Sequence, residues 1–186
     1  REEWGSPEPS SSTRWDIEYR PLNRAYLHHT AQAANTNNTS ASVRAIWNYH
    51  ANTLGWGDIG YNYLVDVHGN IFQGRYTDEK YARENWVDVV GGHARGSNYG
   101  SVGVSALGNF VYETPSAAML ESLSNIFAYK LAKYDLDPTG WNGNLPVLIA
   151  HRDTHPTACP GGNMYSRLGD IRNRAAQLVS YYKPYY

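Results

Sequence analysis

The fold is decided by the segment AYLHHT at residues 25–30, in which a short apolar run leads directly into two histidines. A run of this kind is typical of a short buried strand. The segment VLIAHRDTHPTACPG at residues 147–161 has the same pattern, because its apolar start ends at His151. Strand ends are rigid and present functional side chains at the edge of a sheet. The two segments therefore predict two buried strands that deliver His28 and His151 to a functional site.

Length and composition indicate one folded domain. The chain has 186 residues, of which 41% are hydrophobic and 18% charged, enough for one substantial core. A net charge of -1 without a basic stripe argues against a nucleic-acid partner. The apolar runs are too short for membrane insertion. We therefore expect a single domain over residues 1–186, with residues 1–24 as an irregular N-terminal segment.

The order of the predicted elements favours an α/β fold. Strand patterns alternate with helix patterns, so we expect a central mixed β-sheet flanked by helices. Ser40 and Thr114 are the predicted N-caps of two helices, and residues 165–182 form a third. Residues 76–92 are predicted to be a long charged connection. The other predicted strands are residues 61–67, 71–74 and 101–107, the first two joined by a hairpin turn at residues 68–70.

Cys159 is the chain's only cysteine, so it forms no intramolecular disulfide. It lies in a proline-flanked loop after His151, long enough to fold back over a shared ion. Two imidazoles and a thiol form a three-ligand zinc set, which leaves the fourth position for water, as in catalytic sites. The pattern also permits a hydrogen-bonded strand histidine at His28, a turn histidine at His151 and a buried apolar thiol.

Two other histidines compete for the same ion. His29 alternates to the opposite face of the strand from His28, so both cannot readily reach one site. His155 stands four residues after His151, but Pro156 disfavours the helix that would align them. The residues alone leave the metal site as one interpretation among several.

Six motifs are distributed in order along nearly the whole chain. They are REEWG at residues 1–5, LHHT at 27–30, WGDIGYNY at 56–63, GHA at 92–94 with Gly96 and Asn98, SVGV at 101–104 with GNF at 108–110, and HRD at 151–153 with PTACPG at 156–161. In these motifs the chain resembles the type 2 N-acetylmuramoyl-L-alanine amidase family, which includes peptidoglycan recognition proteins and phage-encoded amidases.

The resemblance implies one catalytic zinc ion held by His28, His151 and Cys159. It implies that Tyr61 is the catalytic tyrosine and that Thr157 is a second polar catalytic group. The implied reaction is hydrolysis of the amide between N-acetylmuramic acid and L-alanine. Zinc activates water and polarises the carbonyl, and a hydroxyl of Tyr61 or Thr157 stabilises the oxyanion. No motif places a Glu as general base, so Tyr61 or the water itself is expected to share that role.

The resemblance also suggests the partner. Animal members with a Gly-Trp pair at this place are associated with stem peptides that carry meso-diaminopimelate, so we expect that type of peptidoglycan. The substrate implies a secreted or cell-wall-associated protein. The paired cysteines typical of animal members are absent, which favours a bacterial or phage origin. The residues expected to bind substrate are His50, Gly55, Trp56, His93 and Asn98.

Three rival functions remain at this point. A recognition module would bind peptidoglycan without cutting it, but such members typically lack the zinc thiol, which is present here as Cys159. A Cys–His hydrolase would use Cys159 as its nucleophile. Such a thiol is typically activated by a helix N-terminus and a neighbouring base. A zinc-stabilised structural domain would need a fourth protein ligand, which the motifs do not supply.

Overall fold

The computed structural model describes residues 1–7, 14–33 and 36–186. No helix in these ranges is long and apolar enough to cross a bilayer. The strands are β1 (Tyr19–Arg20), β2 (Arg24–His29), β3 (Tyr63–Val65), β4 (Ile71–Gln73), β5 (Asp88–Val89), β6 (Ser101–Ala106), β7 (Trp141–Asn142), β8 (Leu145–Pro146) and β9 (Leu148–Ala150). The α-helices are α1 (Thr39–Asn48), α2 (Glu79–Glu84), α3 (Ala117–Ala132), α4 (Gly162–Tyr165) and α5 (Leu168–Tyr182).

Five strands form the central sheet, in the order β4-β3-β6-β2-β9. β2 pairs in parallel with both β6 and β9, and β3 pairs in parallel with β6. β4 returns antiparallel to β3 through the predicted turn, with Val65 opposite Ile71. The sheet is therefore mixed, as predicted, and β2, which carries His28, lies between β6 and the edge strand β9.

The alternation of β2 sends its side chains to two different layers. Ala25 and Leu27 join the core that packs against α3 and α5. Tyr26 faces the other layer, where it contacts Ala94 and Ile149. His28 lies on that second face too, with its ring 6.1 Å from the ring of Tyr26. A one-residue shift in register would exchange these two sets.

A second apolar cluster covers the face opposite α3 and α5. Helix α1 contributes Val43 and Trp47 to it, and the N-terminal segment contributes Trp4, which is almost fully buried. The N-cap of α1 is Asn38, whose side chain accepts a hydrogen bond from Ala41 N, rather than the predicted Ser40. The helix continues through a π-helical turn over Tyr49–Thr53. Helices thus flank the sheet on both sides, and the α/β prediction is confirmed.

Helix α3 begins two residues later than predicted. Its N-cap is Ser116, whose hydroxyl accepts a hydrogen bond from Met119 N at 3.1 Å, and not Thr114. The Ser116 hydroxyl also donates a short hydrogen bond to Val67 O, which ties the helix start to the connection between β3 and β4. A long-range contact therefore selects one cap among neighbouring polar residues.

Two segments are more ordered than the sequence predicts. Within residues 1–24 the described part contains a 3-10 turn over Glu2–Trp4 and the strand β1, while residues 8–13 lie outside the described chain. β1 pairs with β5, so Tyr19 lies opposite Val89. The predicted connection over residues 76–92 contains α2 and β5. Pairing between distant segments, which local patterns do not encode, produces both strands.

A buried ion cluster anchors the chain just before Tyr61. The Asp58 carboxylate accepts hydrogen bonds from the Arg1 guanidinium at 2.8 Å and from that of Arg75 at 3.2 Å. It also accepts from the backbone N–H groups of Ile59 and Tyr76, both at 2.8 Å. Asp58 and the Arg75 side chain are fully buried. The cluster joins the N-terminus to the segment that leads to Tyr61.

We expect Asp58→Ala to lower the free energy of unfolding by about 3–5 kcal/mol, because it leaves buried guanidinium charge uncompensated. Urea denaturation at pH 7 measures the change. Glu84→Ala is the matched control, since its ion pair with Lys80 is exposed and 4.0 Å long, and such pairs contribute little. Equal stability of the two variants would contradict the structural role assigned to Asp58.

Candidate metal centre

The register of β2 against β9 brings two histidines together. Leu27 pairs with Ala150, so the next residues along each strand, His28 and His151, lie side by side. Their ring centroids are 4.6 Å apart. His28 is 1% exposed, whereas His151 is half-buried at the start of a 3-10 turn over His151–Asp153. One histidine therefore forms the floor of the centre and the other its open side.

The loop after the 3-10 turn returns Cys159 to the same point. Arg152 N donates to Cys159 O at 3.0 Å, and His29 N donates to Cys159 Sγ at 3.4 Å. Gly161 has a φ of +87°, and a Cβ there would lie 2.3 Å from the Phe110 carbonyl carbon. The close approach of two backbones at Gly161 thus requires glycine. This close approach helps to hold the Cys159 thiol against β2.

The ligand atoms of His28, His151 and Cys159 all lie within 4.8 Å of one another. Cys159 Sγ lies 3.6 Å from His28 Nδ1. Burial lowers the pKa of His28 well below its ordinary value, and burial together with His155 lowers that of His151 to about 4. Burial also raises the pKa of the Cys159 thiol to about 11. Both imidazoles are therefore neutral at pH 7, the form that binds a metal ion, and the thiol must release its proton on binding.

Tyr61 and Thr157 lie beside this cluster. The Tyr61 ring is 5.4 Å from that of His28, and burial, followed by the Cys159 charge, raises the pKa of Tyr61. Tyr61 therefore keeps its proton at pH 7. Thr157 is exposed, and its hydroxyl accepts a hydrogen bond from Cys159 N at 3.2 Å. That hydroxyl retains its own hydrogen for donation.

A groove with a volume of about 610 Å³ is lined by Trp15, Trp56, Gly92, Arg95 and Asn98. The Trp15 and Trp56 rings meet edge to face at 6.3 Å. A Cβ at Gly92 would lie 2.4 Å from the Trp15 ring, so this position is glycine because the indole occupies the space. The groove therefore has rigid aromatic walls and a cation, Arg95, at its rim.

His50 links this groove to the candidate metal centre. Its ring lies 4.9 Å from the Trp56 ring and 5.5 Å from the Tyr61 ring. Its Nδ1 accepts a hydrogen bond from Gly60 N at 3.1 Å. Gly55 is exposed and has a φ of +72°. This left-handed conformation turns the chain between the π-helical turn and Trp56. Of the predicted substrate-binding residues, Trp56 and Asn98 line the groove, and His50 and Gly55 support its Trp56 wall.

His93 is placed differently from the other predicted substrate-binding residues. It is 6% exposed and lies behind His28, with its Nδ1 3.0 Å from His28 Nε2. Its Nε2 lies 3.3 Å from Ser101 Oγ. Both ring nitrogens thus face protein groups, and the ring is not among the residues that line the groove, although the sequence predicts that His93 binds substrate. A glycine-rich loop can also lie close to a sheet, as this one does.

The two competing histidines also make bonds to protein groups. His29 Nδ1 accepts a hydrogen bond from Phe110 N at 3.2 Å, on the face of β2 opposite His28. The His155 ring lies 4.8 Å from that of His151, but its Nδ1 faces Thr154 Oγ1 and its Nε2 faces Arg95 O, both at 2.8 Å. Neither histidine belongs to the three-residue cluster.

Sequence reasoning missed Trp15 and Arg95. Trp15 lies in the segment predicted to be irregular, and its ring stacks on the buried Arg75 guanidinium, 4.3 Å from the ring centroid. Arg75 Nη2 donates to Trp15 O at 3.0 Å. No local pattern signals this long-range contact. For Arg95, the only signal is a cation inside a Gly-rich loop.

Comparison with known proteins identifies the family. Residues 18–162 match the N-acetylmuramoyl-L-alanine amidase family. Peptidoglycan-recognition protein SC2 of Drosophila simulans is 31% identical over 172 residues, in an alignment that covers 90% of this chain and 82% of that protein. The family match covers more than half of this α/β domain, so the chain belongs to the N-acetylmuramoyl-L-alanine amidase family.

Solved structures give the same result. Peptidoglycan recognition protein-LE in complex with tracheal cytotoxin, a monomeric diaminopimelic acid-type peptidoglycan, superposes with a TM-score of 0.71 at 28% identity, covering 91% of both chains. The N-acetylmuramoyl-L-alanine amidase LysC from Clostridium intestinale superposes with a TM-score of 0.68 at 26% identity, covering 87% of this chain and 93% of that one. The matches include animal and bacterial proteins, so the expected bacterial or phage origin stays a prediction.

The buried histidines predict acid sensitivity. Burial, with a smaller contribution from Arg152, lowers the pKa of His29 to about 4. The unfolded chain therefore binds protons first as pH falls, so stability is full above pH 6.5 and is lost towards pH 4. We expect His29 alone to contribute roughly 1–2 kcal/mol of this loss between pH 7 and 5. Urea denaturation at the two pH values, with EDTA present, measures it.

His29→Asn is the control, because its amide oxygen can accept the Phe110 hydrogen bond but does not titrate in this range. Its stability should fall less between pH 7 and 5 than that of the unmodified protein. Equal losses in the two proteins would show that His29 does not titrate with a lowered pKa.

Proposed function

We propose that this chain is a zinc-dependent N-acetylmuramoyl-L-alanine amidase, which hydrolyses the amide between N-acetylmuramic acid and L-alanine in peptidoglycan. The observation that carries the proposal is the convergence of His28, His151 and Cys159 beside Tyr61. Family membership supports this reaction class. Residues 1–186 act as one amidase domain, secreted or cell-wall associated because that is where its substrate lies.

The donor set fits zinc. Imidazole nitrogen and thiolate sulfur are typical zinc ligands, and three of them leave one position open. In a tetrahedral zinc site, a sulfur at about 2.3 Å and a nitrogen at about 2.0 Å from the ion are about 3.5 Å apart. Cys159 Sγ and His28 Nδ1 are 3.6 Å apart. These two atoms therefore need almost no movement to bind a common ion.

Zinc bound here supplies a Lewis acid that activates water and polarises the scissile carbonyl. Tyr61 keeps its proton at neutral pH, so its hydroxyl serves as a hydrogen-bond donor to the oxyanion rather than as a base. The Thr157 hydroxyl, oriented by Cys159 N, offers a second donor. His28 and Cys159 hold their positions through β2, which is a rigid element.

The groove supports a stem peptide as the bound part of the substrate. Trp15 and Trp56 provide apolar walls, and Arg95 provides positive charge at the rim. A stem peptide that carries meso-diaminopimelate combines an extended backbone with free carboxylates, which complements both features. The complex of peptidoglycan recognition protein-LE with a diaminopimelic acid-type peptidoglycan supports this substrate class by analogy. We propose peptidoglycan as the partner and assign binding roles to His50, Gly55, Trp56 and Asn98.

The alternative is a recognition module that binds peptidoglycan without hydrolysis. The name of the Drosophila simulans relative favours it. The same groove serves both functions, whereas the buried thiol is needed only for a metal centre. Because Cys159 is held beside both histidines by a specific loop, we favour hydrolysis.

Digestion of diaminopimelate-type peptidoglycan tests the activity. We expect free stem peptides that begin at L-alanine, identified by mass spectrometry, and about one zinc per chain by elemental analysis. Chelator abolishes release and added zinc restores it, which also separates this mechanism from a metal-free thiol nucleophile. Cys159→Ser should lower activity by at least tenfold, because the hydroxyl is a poorer zinc ligand than thiolate. Tight binding to the wall without peptide release would leave a recognition module.

Truncation of the groove wall tests substrate binding separately. We expect Trp56→Ala to weaken binding of a diaminopimelate muropeptide about tenfold, since large aromatic anchors dominate such sites. Isothermal calorimetry at low temperature measures the affinity, with Cys159 unmodified and zinc bound in both proteins. The zinc content of Trp56→Ala should equal that of the unmodified protein. Trp141→Ala is the matched control, because this tryptophan is 68% exposed and does not line the groove. Equal affinities of the two variants would place the peptide elsewhere.

A further inference from the structure

A glycine leaves an opening in the sheet next to His28. In the parallel pairing of β2 with β6, His28 lies opposite Ser105 and Tyr26 lies opposite Gly103. Gly103 is therefore on the same face of the sheet as His28, opposite Tyr26, which is two residues before His28. A Cβ at Gly103 would lie 2.3 Å from Cγ of His93. The His93 ring occupies the space that any other residue at this strand position would fill, as expected where glycine in a strand marks a close approach.

Several contacts fix the His93 ring in that space. Asn98 Oδ1 accepts hydrogen bonds from His93 N at 2.9 Å and from Ala94 N at 2.8 Å, which fixes the backbone. The Tyr26 ring lies 5.5 Å away. Ser101 Oγ lies 3.3 Å from His93 Nε2 and donates to Ser97 O at 2.7 Å. Asn98 therefore has a structural task at the His93 loop, in addition to lining the groove.

The protons along this path have one consistent arrangement. His28 Nδ1 faces Cys159 Sγ, so if Nδ1 binds the metal, Nε2 carries the ring proton. His28 Nε2 then donates to His93 Nδ1 at 3.0 Å, which puts the His93 proton on Nε2. That nitrogen donates to Ser101 Oγ, whose hydrogen points to Ser97 O. The path ends on the Ser97 carbonyl oxygen, which can only accept a hydrogen bond, and this fixes the direction of the bonds before it.

We propose that His93 is a positioning residue that fixes the ring and tautomer of His28 so that Nδ1 faces the metal, with Ser101 fixing His93 in turn. Metal-binding histidines usually donate their second ring N–H to a carboxylate, carbonyl or water. Here a second neutral histidine takes that place. The inference rests on the proposed zinc site and adds to it a residue that touches neither metal nor substrate.

The tautomers can be read in the unmodified protein. Long-range 1H–15N correlation spectra of the zinc-loaded protein distinguish ring nitrogens that carry hydrogen, accept hydrogen bonds or bind metal. We expect His28 to be metal-bound through Nδ1 and protonated on Nε2, and His93 to be protonated on Nε2 only. A proton on His93 Nδ1, or zinc on His28 Nε2, overturns the proposal without the need for any variant.

Variants test the effect on metal affinity. Competition with a chromophoric chelator gives the zinc dissociation constant. We expect His93→Leu, which fills the space but accepts no hydrogen bond, to weaken zinc binding about 10- to 100-fold. His93→Asn should recover most of this affinity, because its amide oxygen can reach the position of Nδ1. Ser101→Ala should weaken binding by a smaller factor, and His29→Asn, on the opposite face, should leave it unchanged.

The outcomes separate this inference from the amidase proposal. Unchanged zinc affinity in both His93→Leu and Ser101→Ala overturns the positioning role, even if the unmodified protein releases stem peptides. Weakened affinity in His93→Leu with recovery in His93→Asn supports it, even if no peptide is released. Thermal unfolding of the zinc-free variants shows whether folding is retained, and if His93→Leu does not fold, Ser101→Ala and the tautomer spectra decide.

Discussion

The parallel pairing of β2 with β9 is the constraint on which the rest of the site depends. Leu27 lies opposite Ala150, so His28 and His151 follow at the same level of the sheet. The buried face of β2 enforces this register, because a shift by one residue would move Leu27 out of the core and His28 into it. The free energy that packs Ala25 and Leu27 against α3 and α5 thereby also positions the candidate metal ligands.

The two sides of the centre differ in how they are held. His28 lies near the carboxyl end of β2, which has β6 and β9 on either side, and is almost fully buried. Cys159 arrives from a loop, and its position depends on hydrogen bonds to His29 N and Arg152 N and on the close backbone contact at Gly161. A buried histidine in the sheet and a thiol carried by a loop therefore fix the geometry of the candidate metal centre, with the half-buried His151 on its open side.

The groove is built by a different principle. Its residues come from the N-terminal segment, the turn after α1 and the Gly-rich loop, which are distant in sequence. Trp15 is held between the Arg75 guanidinium and Gly92, and Arg75 is fixed in turn by Asp58. Loops of this kind vary without disturbing a core. A single family can therefore contain recognition proteins and hydrolases that share one sheet and differ in the residues around it.

The sequence by itself determined the mixed sheet and the β3–β4 hairpin, and it offered His28, His151 and Cys159 as one candidate donor set among several interpretations. Apolar periodicity and strand-end chemistry are local properties, so they can be read from neighbouring residues. The cap of α3, the strands β1 and β5 and the place of His93 were decided only by the tertiary structure. Each depends on a partner far along the chain: Val67 for the cap of α3, Val89 for β1, and Gly103 for His93. The sequence lists such groups in order, but it does not give the distances between them, and these distances decide which groups meet.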